Sequence, residues 1–195
     1  IDKANGIYQI YAPNPNWSLL MEEVPNLLEI IAVNSTGVTA MDAFLAGNER
    51  LSKVPLFDTS SVMSMVQMFD GCSNYLTEVP DYDTSNVKYF NGMFRNCYCL
   101  QKAPNFDTSN ALSMPGMFQN CTSLEEVHLY NTSKAQNVTQ MYAGCVNVMY
   151  NAHIFYLQMA NQATPPAQHV ETFKDCGVNT VRGRGELRFI PDDWK

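Results

Sequence analysis

The side chains of this 195-residue chain that can do chemistry are six cysteines, three histidines and several regularly spaced acids. Cys72, Cys97, Cys121 and Cys145 stand 25, 24 and 24 residues apart. If that step brings them onto neighbouring rungs about 4.8 Å apart, adjacent pairs come within the about 4.4–6.8 Å Cα span of a disulfide. The competing reading is a ladder of reduced thiols, small and apolar, filling a tight corner. Asn48 occupies the same slot one step earlier, which favours packing or hydrogen bonding over a bridge. Cys97-x-Cys99 lacks the two-residue spacing and second ligand pair of a zinc module. Asp58, Asp83 and Asp107 form a second row, either stacked carboxylates for calcium or, more commonly, solvated turn caps. Neither a metal nor another cofactor is expected.

Catalytic arrangements are missing. There is no His-Glu-x-x-His, phosphate loop or nucleophile elbow. His128, His153 and His169 stand apart in sequence from any cysteine nucleophile. The acid pairs Glu22-Glu23, Glu125-Glu126 and Asp192-Asp193 are adjacent, so on a strand their members point to opposite faces. No catalytic residue is assigned, and the chain is not expected to be an enzyme.

What positions these residues is an internal repeat. Asp-Thr-Ser occurs at Asp58, Asp83 and Asp107; Asn131-Thr132-Ser133 continues it and Asn34-Ser35-Thr36 precedes it, at steps of 24, 25, 24 and 24. Phe69, Phe94, Phe118 and Tyr142 keep the register, preceded by Met68, Met93, Met117 and Met141 and followed three residues later by the cysteines. Leu51, Leu76, Leu100, Leu124 and Val148 complete it. A period near 24 lies within the roughly 20–29 of leucine-rich repeats. Each unit divides into a short strand (Leu51 to Pro55, Leu76 to Pro80, Leu100 to Pro104), a polar turn that can cap a helix, and a short helix. Apolar three-residue steps such as Val62, Met65, Met68 and Phe69 predict that helix. Pro55, Pro80 and Pro104 limit the strands to two to four residues, and Pro115 shortens the third helix or forces it towards 3-10 geometry.

The expected fold class is α/β: a right-handed leucine-rich-repeat solenoid of about six or seven coils, with a narrow parallel sheet facing short helices. A single domain would comprise an N-terminal cap over 1–29, repeats over 30–150 and a C-terminal cap over 151–195. Trp17, Leu20, Met21, Leu27 and Ile30 form a weaker first unit, and Phe173 and Cys176 a partial last one.

Two columns can face a ligand. Lys53, Glu78, Lys102 and Glu126 alternate in charge at the outward strand position, as cross-strand pairs or as a polar binding stripe. The aromatics Phe57, Tyr82, Phe106 and Tyr130 are either an exposed platform or an inward core spine. With His128, these nine residues are the candidate ligand site. Arg182, Arg184 and Arg188 make a small basic patch that reads as a solvated capping face.

A net charge of −7 disfavours nucleic acid, whose phosphates require clustered cations. No run approaches the roughly 18 apolar residues of a membrane span. Ile1-Asp2-Lys3 leads into polar sequence unlike a signal peptide, which leaves the compartment open.

Two stretches carry a resemblance. Val54-Pro-Leu-Phe-Asp-Thr-Ser-Ser-Val62 leads to Met68-Phe-Asp-Gly-Cys72, and Phe106-Asp-Thr-Ser-Asn110 leads to Met117-Phe-Gln-Asn-Cys-Thr-Ser-Leu124. This pattern, in register over about residues 34–150, resembles the BspA-like leucine-rich-repeat surface proteins. The tail from Glu186 to Lys195 is similar to ends of such proteins encoded in Firmicutes genomes and prophages. Asn131, Ala135 and Pro115 depart from the pattern. The resemblance implies surface exposure, adhesion and ligand binding, and carries no catalytic residues. The expected function is a non-enzymatic recognition module binding a protein or glycan, extracellular on a bacterial surface. A bacteriophage tail or capsid module for host recognition on the virion is the alternative. A hydrolase on a repeat scaffold is the third reading.

Overall fold

The computed structural model describes residues 7–11 and 27–195. Trp17, Leu20, Met21, the Glu22-Glu23 pair and most of the expected N-terminal cap lie outside the described residues.

The repeat step is also the step of the backbone pairing. Single parallel bridges join Ala40 to Ser64, Ser64 to Tyr89, Tyr89 to Ser113, Ser113 to Asn137 and Asn137 to Gln168. The last step is longer because helix α1 (Ala152–Ala160) is inserted before the final unit. At the other end β1 (Ile7–Tyr11) pairs in parallel with β2 (Glu29–Asn34), with a register irregularity between Tyr8 and Gln9.

The expected short helices over Val62–Phe69 and its counterparts do not form; these segments are chains of tight turns. The backbone donors explain why. Met65, Gln67, Phe69 and Gly71 donate sideways to the carbonyls of Tyr89, Asn91, Met93 and Arg95 at 2.8–2.9 Å. The alternate residues Met68, Asp70 and Cys72 reach back three residues, to Met65, Gln67 and Phe69. An α-helix requires every amide to reach back four residues, so committing half of them to a neighbour forbids it. The turns carry left-handed residues at Gln67 (φ 55°) and Gly71 (φ 75°), and at Gly92 and Asn96 in the next unit. Glycine and asparagine accept that conformation at little cost. An apolar spacing of three fits such turns as well as a helix. Pro115 fits for the same reason: it offers its carbonyl to Gly92 N at 2.8 Å, in a slot whose amide the ladder does not use.

This arrangement stacks like on like. Phe69, Phe94, Phe118 and Tyr142 lie ring on ring, with centroids 5.3, 5.4 and 5.3 Å apart, all fully buried. Val62, Met65 and Met68 pack beside them with their counterparts. The Asp-Thr-Ser turn divides its labour. Each aspartate or asparagine accepts from the amide of the serine two residues on: Asp58 from Ser60 at 3.0 Å, Asp83 from Ser85 at 3.0 Å, Asp107 from Ser109 at 2.8 Å and Asn131 from Ser133 at 2.9 Å. The buried threonine ties its unit to the next, through Thr59 to Asp83 O, Thr84 to Asp107 O and Thr108 to Asn131 O at 2.8–2.9 Å.

The final unit is covered by chain. α1 buries Phe155 and Met159, and the Phe155 ring stands edge-on to Tyr142 and Phe173. Helix α2 (Val181–Leu187) is capped by Thr180, whose hydroxyl accepts from Gly183 N at 2.8 Å. A 3-10 turn over Asp192–Trp194 brings the Trp194 carbonyl to Phe173 N at 2.8 Å, the place a further unit would fill. Among the described residues, no helix is long and apolar enough to cross a membrane.

Candidate polar recess

The second face of the stack carries the Leu-x-x-Val-Pro segments. Sequence reasoning expects a continuous parallel sheet here, but parallel bridges form only at its two ends, and between them one backbone bond, Gln101 N to Thr77 O at 3.0 Å, joins neighbouring segments. Ile30 N donates to Lys53 O, and Val127 N to Tyr150 O, each at 3.1 Å. The residues at the same register between them, Val54, Val79 and Ala103, donate to no backbone carbonyl. Proline closes each of those segments one residue further on, at Pro55, Pro80 and Pro104, and removes the next donor.

A recess of about 600 Å³ opens where the ladder is missing. It crosses three units, from Lys53 and Val54 through Glu78, Val79 and Asp81 to Lys102 and Ala103. A smaller hollow of about 200 Å³ continues it past Gln101 and Lys102 to Glu126 and His128. The structure therefore brings Lys53, Glu78, Lys102, Glu126 and His128 together along one face.

Their charges do not cancel in pairs along the stripe. Lys53 forms an ion pair at 3.2 Å, but with Glu29 of the preceding segment rather than Glu78. Glu126 accepts from Asn151 Nδ2 at 2.5 Å. Glu78 and Lys102 have neither an ion pair nor a side-chain hydrogen bond among the described residues. Half-burial pulls the His128 pKa down, opposed by the negative charges of Glu126 and Asp81. His128 therefore faces the hollow mainly as neutral imidazole near neutral pH, able to donate and accept.

Phe57, Tyr82, Phe106 and Tyr130 are removed from the candidate surface. They are buried, with Tyr82 2% and Tyr130 1% exposed. The Phe57 and Tyr82 rings lie 4.6 Å apart, tilted at 42° to one another. The phenol groups turn inward to proline carbonyls one unit back: Tyr82 donates to Pro55 O at 3.0 Å and Tyr130 to Pro104 O at 2.6 Å. Alternation along the strand cannot reveal this, since proline ends the strand before the aromatic. Asp81 is the recess residue that sequence reasoning missed. It follows Pro80 where the other units carry Leu56, Asn105 and Leu129, and it accepts from Asn105 N at 2.7 Å. Its signal is an acid replacing a residue that is apolar or amide elsewhere in the column.

The remaining chemistry-bearing groups are structural. All six cysteines are free thiols. Cys72, Cys97, Cys121 and Cys145 donate to the carbonyls of Leu45, Phe69, Phe94 and Phe118 at 3.0–3.1 Å, one unit to the last. Asn48, in the same column, donates to Leu45 O at 2.9 Å. Burial pushes the Cys72 and Cys145 thiols up to about 12 and those of Cys97, Cys121 and Cys176 well above the ordinary range. Such thiols stay protonated at neutral pH, whereas the thiolate is the reactive form. No group of three or more His, Cys, Asp or Glu among the described residues is placed to hold a metal ion. In the C-terminal basic patch, the Arg182 guanidinium lies 4.3 Å over the Tyr150 ring, and Arg184 donates to Val178 O at 2.7 Å.

The fold and recess together define a protein of parallel-stacked units of two dozen residues with a polar opening in one face. The family model described as "Mycoplasma protein of unknown function, DUF285" matches residues 39–155. That span is more than half of the chain, which therefore belongs to this family. Comparison with curated proteins and with solved structures gives no match.

Proposed function

We propose that this chain is a leucine-rich-repeat solenoid of the BspA-like type acting as a non-enzymatic recognition module at a cell surface. The recess bounded by Lys53, Glu78 and Lys102 is its ligand site. The observation that carries this reading is the coincidence of the recess with the gap in the backbone ladder and with two charged side chains left without partners. Charged groups on a stable scaffold that serve no internal contact are available to a ligand. Their placement on three successive units of a stack gives a surface that a protein or glycan can span. The parallel bridges at steps of 24–25 residues support the solenoid class. The buried, protonated cysteines favour binding over catalysis.

The test is saturation binding of the labelled protein to intact bacterial and host cells. A double charge reversal, Lys53→Glu with Lys102→Glu, is expected to lower affinity about tenfold or more, the scale of one lost charged contact. Wild-type binding by a folded double variant moves the ligand site off this face.

A further inference from the structure

We infer that the recess recognises an uncharged polyhydroxylated ligand, an oligosaccharide, through hydroxyl groups that bridge successive units. This rests on the recognition reading above and narrows it to one ligand class.

The argument starts from the unmade bonds. At the two ends of this face the register position donates to the next unit's carbonyl, Ile30 to Lys53 and Val127 to Tyr150. At the three positions between, Val54, Val79 and Ala103, the amide has no backbone acceptor, and no backbone donor reaches the carbonyls of Glu78, Lys102 and Glu126. Three donors and three acceptors at one register of successive units thus lack backbone partners, and Val54, Glu78, Val79 and Lys102 among them line the recess. Backbone polar groups require partners. A single atom that serves both sides of such a gap must accept one hydrogen bond and donate another. A hydroxyl oxygen does so; a peptide group cannot, because its donor and acceptor are different atoms. The units repeat about 4.8 Å apart, so a chain of linked polyols can present one hydroxyl per gap.

Charge points the same way. The recess side chains Lys53, Lys102, Glu78 and Asp81 sum to zero, two positive and two negative. Such a lining selects against polyanions and polycations alike. Carboxylates accept from hydroxyls and ammonium groups donate to them, so Glu78 and Lys102 fix a neutral ligand's orientation. Val54, Val79, Pro80 and Pro104 supply apolar wall for its C–H faces.

The experiment follows backbone amide resonances of the full chain during titration with cellotriose, maltotriose and N-acetylglucosamine trimer. At least one is expected to shift Val54, Val79 and Ala103 saturably, leaving Met65 and Phe90 on the opposite ladder unmoved. Glu78→Gln with Lys102→Gln, both exposed and unpaired, should weaken that binding about tenfold while Lys88→Gln leaves it unchanged. If none of the three sugars moves these amides at millimolar concentration, or if amides shift over the whole surface, the oligosaccharide assignment is overturned. An alternating Lys-Glu peptide that moves them instead keeps the recess as a recognition site but for a protein ligand. Response to neither probe overturns both readings.

Discussion

The Tyr130 hydroxyl donates to the carbonyl of Pro104, 26 residues earlier and one unit back, at 2.6 Å. Tyr82 makes the same bond to Pro55 at 3.0 Å. Proline weakens pairing on this face, and the phenol below it ties the proline carbonyl from inside. Tyr130→Phe keeps the ring and is expected to cost about 1 kcal/mol. Tyr130→Ala also empties a core site and should cost about 3–5 kcal/mol. Urea denaturation separates them: equal losses would mean that the hydroxyl alone matters, and no loss from Ala would mean that the ring is not in the core.

Thiol accessibility tests the cysteine column. Five of the six cysteines are buried, and Cys99 is partly exposed. A water-soluble thiol reagent should modify one cysteine, Cys99, in the native protein and all six after denaturation. Cys99→Ala should abolish the native signal. Rapid modification of Cys97 or Cys121 without denaturant would show that the units do not pack as described.

The turn aspartates make stability depend on pH. Hydrogen bonds from Ser60, Ser85 and Ser109 hold the carboxyls of Asp58, Asp83 and Asp107 below their ordinary value of 3.8. A folded-state pKa below the unfolded one means that the contribution is present above the ordinary carboxylate range and lost as pH falls through the folded values. Thermal melts should therefore drop on acidification towards pH 3. The triple variant Asp58→Asn, Asp83→Asn, Asp107→Asn should keep the turns, as Asn131 does with Ser133, and flatten the dependence. An unchanged acid slope in that variant would place its origin elsewhere.

Hydrogen exchange reads the broken ladder directly. The amides of Val54, Val79 and Ala103 should exchange on the order of fivefold faster than those of Ile30 and Val127, the equivalent of about one net hydrogen bond. Equal protection at all five positions would mean that the ladder is closed in solution.

Much of this was legible in the amino-acid order, for identifiable reasons. The step from Asp58 to Asp83 and Asp107 is also the step of the bridges, because stacked identical units must repeat their side chains in register. Cys72, Cys97 and Cys121 fall in one column on that account. The turns of 65–72 were not legible as turns, since an apolar spacing of three serves either geometry. Whether Tyr82 and Tyr130 face in or out depends on how the chain bends after proline, which no periodicity records. The recess was half visible. Lys53, Glu78 and Lys102 could be placed on an outward column, but the missing backbone bonds between them are a property of three dimensions.

The sideways amides of Met65, Gln67, Phe69 and Gly71 have a mechanical consequence. Each unit closes only about half of its turn hydrogen bonds within itself and makes the rest with a neighbour, so its shape depends on that neighbour being docked. Tension applied to the two ends of the chain should peel the molecule from its weaker terminus, unit after unit. Each rupture should release about 80 Å of contour length, the reach of two dozen extended residues.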